Sequence, residues 1–375
     1  MEDEKNVNYP GMFDLLKGIT VIGIVLMHIT GIFPAQMQYE GGLAILQRFV
    51  FALPDIFSLG NATVLVLLLV CGYGFKAINM KKCIKKQSKQ LLRPFLLTGA
   101  AIAVVHFICH ICVFHYLPDA AKQTGIVVLS HLLGLQNGFQ IHGVQLYFIG
   151  SVWFLLALFE GWILLTAVMN KLPEKSHGAL AVCFFVLYCL IIKLTPPWIA
   201  YPFCFGSALL CCSNLYWGVQ IKKHNWLWVP LPPVAWCLLI PLAVISQFIS
   251  YLPTASSAST VITLGTFFLK TVGAECMAFL LMRIAVRLNR WHNWIFNKIR
   301  IIGRYSIWVI CAHSIEDRGL RWYLFVEKMQ GHELAAFLIM VVVRGCLIFA
   351  MCYLFYLFDK KVRRTKRQRR VATHV

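Results

Sequence analysis

LLKGITVIGIVLMHIT, residues 15–30, is apolar enough to cross a bilayer, yet it carries a lysine near its start and a histidine deep inside. Together with the aspartate that precedes the stretch, Asp14, Lys17, Val21, Ile24 and His28 recur at spacings of three and four, which places them on one face of a helix. Lys17 and His28 are eleven residues apart, so they share nearly the same azimuth and stand about 16 Å apart along the axis. One face therefore offers a cation at one membrane edge and a titratable base past the bilayer centre. Two readings are open from the residues alone: a snorkelling lysine above a hydrogen-bonded core histidine, or a face that serves a ligand.

The rest of the 375-residue chain has the same character: 59% of it is hydrophobic and 13% charged, where a soluble domain carries about 25% charge. Mean hydropathy is +0.71. The expected fold class is all-α, a polytopic bundle of about ten transmembrane helices. The net charge of +20 does not point to nucleic acid, because the basic residues cluster in short segments between apolar runs. The first run follows Glu2, Asp3 and Glu4 and precedes no small-residue cleavage pattern, so it reads as a retained helix and not a signal peptide. Of 14 cysteines nearly all, including Cys183, Cys189, Cys211, Cys212 and Cys352, sit within apolar runs and read as small hydrophobes.

Candidate spans are residues 12–33, 55–77, 94–117, 146–169, 178–194, 198–221, 227–250, 260–286, 301–315 and 335–358. With the N-terminus inside, 27 of the 35 Lys and Arg residues fall on the cytoplasmic side, so both termini are expected in the cytoplasm. The division is a membrane domain over 1–358 and a basic cytoplasmic tail over 359–375. Any activity must then belong to the bundle itself.

Polar residues at membrane depth are costly unless they face protein or water. Glu160, Lys270, Glu275 and Arg344 are of this kind and imply a polar interior. In KAINMKKCIKKQSKQLLRPF, Lys82, Lys86, Lys89 and Arg93 fall on one helical face, and Pro94 predicts that a surface helix ends near Arg93. That face suits either a phosphate-rich ligand or anionic headgroups. In HFICHICVFH, His106, Cys109 and His110 share a face; packing with interhelical hydrogen bonds is the expectation over a metal site, since no further ligand is evident.

Three segments resemble the acyltransferase-3 family of bacterial integral-membrane O-acyltransferases. FDLLKG through LMH supplies Asp14, Lys17 and His28 at the spacing of that family's first helix. SVWFLLALFEG, residues 151–161, is similar to its Trp-Phe segment and contains Trp153. IGRYSIWVICAHSIE, residues 302–316, is similar to its late Gly-basic-Tyr-Ser segment, with Arg304, Tyr305, Ser306 and His313. The chain departs from the family at Phe13, where many members have arginine, and at Gln90, where many have the first arginine of a pair completed here by Arg93. Some relatives also carry a C-terminal extracytoplasmic esterase-like domain, where this chain has a basic tail.

The resemblance implies a multi-pass protein of a bacterial cytoplasmic (inner) membrane that moves an acyl group, commonly acetyl, from cytoplasmic acyl-CoA (acetyl-CoA or another acyl-CoA) to a hydroxyl of a glycan or related acceptor. No permanently bound cofactor and no metal are expected. Lys17, Lys89 and Arg93 would meet the donor's phosphates, His28 would act as general base or transient acyl carrier, and Asp14 would orient or pair with Lys17. Trp153, Arg304, Tyr305, Ser306 and His313 from the matching segments, with the membrane-depth acids Glu160 and Glu275, are the candidates to line the acceptor path or a pore. The rival readings are a transporter or flippase for a glycan or lipid-linked sugar, using Glu160, Lys270, Glu275 and Arg344 in a polar path, and a sensor or scaffold without catalysis.

Overall fold

The computed structural model describes residues 11–33, 50, 62–195, 201–251, 260–291 and 293–372. It is 82% helical with almost no sheet. Among the described residues five helices, Met80–Phe114, Gly150–Lys171, Glu174–Leu194, Ile262–Leu288 and Glu333–Leu357, are long and apolar enough to cross a bilayer, and Ala62–Tyr73 and Pro233–Ile249 are shorter apolar helices. The first span forms α1 (Asp14–Thr30), followed by α2 (Ala62–Tyr73) and α3 (Met80–Gln87).

Here the structure corrects an expectation. The helix does not end near Arg93: a π-turn over Ser88–Leu92 carries α3 straight into α4 (Arg93–Phe114). The Arg93 N–H reaches back five residues to the Ser88 carbonyl. Pro94 has no N–H to donate, and the wider turn accommodates it without breaking the helix.

The segment 118–145, expected to be an outer loop, is also structured. His115 adopts a left-handed conformation at φ 52° and reverses the chain, and Pro118 lies in the first turn of α5 (Leu117–Leu132). α5 folds back against α4. Its His131 ring lies against Gly99, where an added Cβ would sit 2.2 Å from the imidazole. The His131 Nε2–H donates to the Phe95 carbonyl at 3.0 Å, and the ring stacks on Phe95. A hairpin follows, β1 (Phe139–Ile141) antiparallel to β2 (Val144–Leu146), turned by His142 and Gly143 at positive φ.

The remaining helices are α6 (Trp153–Lys171), α7 (Glu174–Leu194), α8 (Phe205–Lys223), α9 (Pro233–Tyr251), α10 (Thr260–Leu288), α11 (Trp294–Arg304), α12 (Ser306–Gly319), α13 (Trp322–Lys328) and α14 (Glu333–Ala372). Lipid removes much of the hydrophobic drive between helices, so small residues set the closest contacts. Gly72 of α2 and Gly218 of α8 touch each other's backbones: a Cβ at Gly72 would lie 2.2 Å from the Leu215 carbonyl oxygen. α1 meets α11 in the same way. A Cβ on Gly303 would fall 1.8 Å from the Asp14 carbonyl, and one on Gly18 would fall 2.2 Å from that of Ile299. These contacts seat α1 against the α11–α12 pair and so decide what His28 faces.

Candidate active site

α1 brings His28 to the side of α12, and the two imidazoles meet edge to face: the His28 and His313 ring centroids are 5.0 Å apart at 78°. His28 Nδ1 lies 4.0 Å from Asp317 Oδ2, and its side chain is 21% exposed. The Ser151 hydroxyl, on a single 3-10 turn before α6, is 3.4 Å from Nε2 and 3.5 Å from Nδ1.

His313 is fully enclosed, at 0% exposure. Its Nδ1–H donates to Glu316 Oε1 at 2.8 Å, one helical turn on. That orients the ring and leaves Nε2 buried and without a partner among the described residues. Arg344, reaching in from α14, binds both acids: its Nε lies 2.8 Å from Glu316 Oε2 and its Nη2 lies 2.7 Å from Asp317 Oδ1. Trp322 Nε1–H donates to Glu316 Oε2 at 2.8 Å, and the indole lies under the Arg344 guanidinium. Arg318 closes the cluster, with Nε 3.3 Å from Asp317 Oδ2. Two buried carboxylates are thus held by two guanidiniums, the kind of fork geometry that lets charge persist away from water.

His28, His313 and Asp317 could each offer a ligand atom to one metal ion, the three atoms lying within 4.8 Å of one another. The chemistry of the surroundings disfavours it. Asp317 already serves Arg318 and Arg344, so a cation would be placed against two guanidiniums. The other histidine cluster is accounted for differently. Arg321 Nη2 donates to His106 Nε2 at 2.9 Å and to His110 Nδ1 at 2.7 Å, so those lone pairs are spent on an arginine.

At the far end of α1, about 16 Å from His28, Lys17 pairs with Asp14 at 2.7 Å, and Arg304 Nε lies 3.4 Å from the other Asp14 oxygen. Arg304 and Tyr305 were expected on the acceptor side with His313; α11 instead puts Arg304 beside Asp14, and Tyr305 packs its ring against Tyr356. Ser306 begins α12, half-buried. Lys89 lies in the π-turn and Arg93 at its exit, both exposed, and neither has an acidic partner among the described residues. Their depth follows from the packing of α4 on α12. Val105 touches Gly319, and counting back along the helices puts Arg93 about 18 Å and His313 about 9 Å below that contact. Arg93 and Lys89 therefore lie on the Lys17 side of the histidine pair.

Trp153 and Glu160 of α6 are half-buried, and neither contacts the histidine cluster through a described hydrogen bond. Glu275 of α10 accepts from Asn214 Nδ2 at 3.1 Å in a separate polar contact. The groups that surround His28 were mostly missed. Ser151 and Glu316 stood inside quoted segments without a role, Arg344 was noted only as a buried ion, and Asp317, Arg318 and Trp322 went unremarked. The run HSIEDR, a histidine followed within five residues by two acids and a base at the end of an apolar helix, was the available signal.

Comparison with known proteins places this geometry in context. No curated protein and no solved structure matches the chain. The model of the acyltransferase-3 family, described as an acyltransferase domain, matches residues 12–357, which takes in both histidine helices and the acidic pair. The chain belongs to the acyltransferase-3 family.

Proposed function

We propose that this protein is an acyl-CoA-dependent membrane O-acyltransferase, in which His28 is the general base that delivers an acyl group, acetyl in the simplest case, to a hydroxyl of a glycan or related acceptor. The observation that carries the reading is the asymmetry of the two histidines. Both lie beside a carboxylate, but His28 is 21% exposed and His313 is fully enclosed, so only His28 can meet a substrate. Donation from His28 Nδ1–H toward Asp317 would leave Nε2 to accept the acceptor's hydroxyl proton. The oxygen then attacks the thioester carbonyl, the C–S bond breaks, and the proton held by His28 passes to the departing thiolate. Atoms balance as ester plus free CoA.

The cytoplasmic donor side is supported by charge. Lys17, Lys89 and Arg93 stand on one side of the histidines, and in this reading that side, which carries the basic loops and both termini, faces the cytoplasm of a bacterial inner membrane. A CoA phosphate at this mouth would leave the pantetheine arm to cover the roughly 16 Å to His28. In this reading the ten expected segments are the spans.

The test is transfer of radiolabelled acetyl from acetyl-CoA by purified protein in lipid, with a polysaccharide acceptor and with water alone. Acyl loss from acetyl-CoA that depends on protein and disappears in His28→Ala is expected. Flux of a glycan across vesicles without any consumption of acyl-CoA would establish the transporter reading instead.

A further inference from the structure

A cavity of about 120 Å³ opens where α4, α5 and the start of α6 meet the end of α12. Its wall includes Ile102 and His106 from α4, Val127 and Ser130 from α5, and Tyr147 and Phe148 from the segment before α6. The charged groups in that wall are Arg318 and Arg321; no carboxylate lines it among the described residues. The cavity lies on the opposite side of the histidine pair from Lys17, Lys89 and Arg93.

The two arginines are held rather than free. Arg321 is oriented by two neutral imidazoles. His106 spends its Nδ1–H on Thr124 Oγ1 at 2.9 Å, His110 spends its Nε2–H on Asp119 Oδ2 at 2.8 Å, and each turns its remaining lone pair to Arg321. Arg321 Nε is buried and has no partner among the described groups. Arg318 lies with its guanidinium over the Phe148 ring at 4.7 Å, and Gly150, at φ +75°, leaves room for its stem: a Cβ there would meet Arg318 Cγ at 2.9 Å. Holding the Arg321 Nε–H away from water without an acceptor is costly unless an anion completes it, and Arg318, about a third exposed and beside Asp317 through Nε, lines the same wall.

We infer that this cavity is the acceptor subsite and that it recognises an anionic group on the acceptor, the carboxylate of a sugar acid or a sugar phosphate, with Arg318 and Arg321 as the recognising pair. The inference rests on the acyltransferase reading for the word acceptor; the anion site itself does not. Arg318 joins the two, since its Nε also contacts Asp317 Oδ2, and that oxygen is 4.0 Å from His28 Nδ1. An acceptor anchored by its charge on Arg318 and Arg321 would hold its hydroxyls close to the base. A planar guanidinium pair matches carboxylate or phosphate oxygens and offers nothing comparable to a neutral sugar.

The experiment uses the full chain in detergent without acyl-CoA and three probes: methyl β-glucuronide, the 6-phosphate of methyl β-glucoside, and neutral methyl β-glucoside, each titrated calorimetrically. The expected result is that at least one anionic probe binds about 10- to 100-fold more tightly than the neutral sugar. Preference for the glucuronide alone assigns a carboxylate, and preference for the phosphate alone assigns a phosphate. Arg321→Gln should abolish the preference. Val127→Phe, which fills the cavity and leaves every ionic contact intact, should do the same and serves if Arg321→Gln does not fold. Equal binding of all three probes overturns the inference, as does a preference that survives Val127→Phe. Anion binding without any acyl transfer would keep the site and remove the acyltransferase reading, whereas transfer to acceptors with no anion preference would do the reverse.

Discussion

His28 and His313 lie edge to face, 5.0 Å between ring centroids, and differ in one decisive respect: the first reaches open space and the second does not. The two should therefore fail differently. His28→Ala should lower acyl transfer by about 10²–10⁴-fold while acyl-CoA binding and monodispersity stay near wild type. His313→Ala should act first on stability, because it takes a hydrogen bond from the buried Glu316 and opens a void between α1 and α12, at a cost of about 1–3 kcal/mol. Rates and melting midpoints on purified variants separate them. Near wild-type transfer by His28→Ala would make His28 structural and end the general-base assignment.

Arg344 is the keystone of the acidic pair. It is fully buried and contacts both Glu316 and Asp317, so Arg344→Ala leaves Glu316 with only His313 and Trp322 as donors and Asp317 with only the longer contact to Arg318 and the more distant His28. Removing one partner of a buried pair typically costs about 3–5 kcal/mol. Arg344→Lys should not rescue, since one ammonium cannot reproduce contacts to two separate carboxylates. Thermal unfolding in detergent checks both. A lysine variant as stable as wild type would show that charge alone, without the fork, holds the cluster.

The first helix was readable because its signal is periodic: Lys17 and His28 betray themselves by recurring on one apolar face, and the structure keeps that face. Helical structure also falls within each of the ten expected apolar segments, but among the described residues five helices have the length and apolar character to cross a bilayer, and the segment 301–315 is divided between α11 and α12. What surrounds His28 was not readable for a physical reason. Its neighbours come from residues 123 to 316 positions away, through packing that glycines at 18 and 303 permit, and no local pattern encodes such a contact. α5 was missed because Pro118, Asp119 and Lys122 give it the composition of a loop, while its apolar residues suffice only when α4 supplies a partner. The π-turn was missed because the rule that helices end before proline is a tendency that one extra residue per turn can absorb.

The donor side makes its own forecast. Lys89→Ala and Arg93→Ala should each weaken acyl-CoA binding about 10- to 150-fold, the value of a charge-assisted phosphate contact, with little effect on acceptor affinity. Lys17 is already paired with Asp14, so Lys17→Ala frees a half-satisfied carboxylate as well as removing a cation, while Lys17→Arg should retain much of the binding because the charge persists. Binding isotherms with acyl-CoA and with dephospho-CoA check this. If both Lys89→Ala and Arg93→Ala bind acyl-CoA normally, the basic face is a headgroup anchor.

The α1–α11 contact links the two ends of the site and can be tested without touching a polar group. Gly303 lies so close to α1 that an added Cβ would be 1.8 Å from the Asp14 carbonyl oxygen and 2.6 Å from the Gly18 nitrogen, both backbone atoms that no rotamer change can move. Gly303→Ala must therefore push α11 away from α1. The expected consequence is a loss of about 1–3 kcal/mol in stability, in the range seen for overpacking. A second consequence is functional, because the same displacement separates Arg304 from Asp14 and shifts α12, which carries His313 and the acidic pair, relative to His28. Transfer rate should fall more than melting temperature would suggest. Gly345→Ala on α14 is the control: nothing lies within 4 Å of its added Cβ, and alanine favours a helix over glycine by about 1 kcal/mol, so that variant should be neutral or slightly stabilised. Equal behaviour of the two variants would mean that α1 and α11 do not pack as described, and the placement of His28 beside His313 would fall with it.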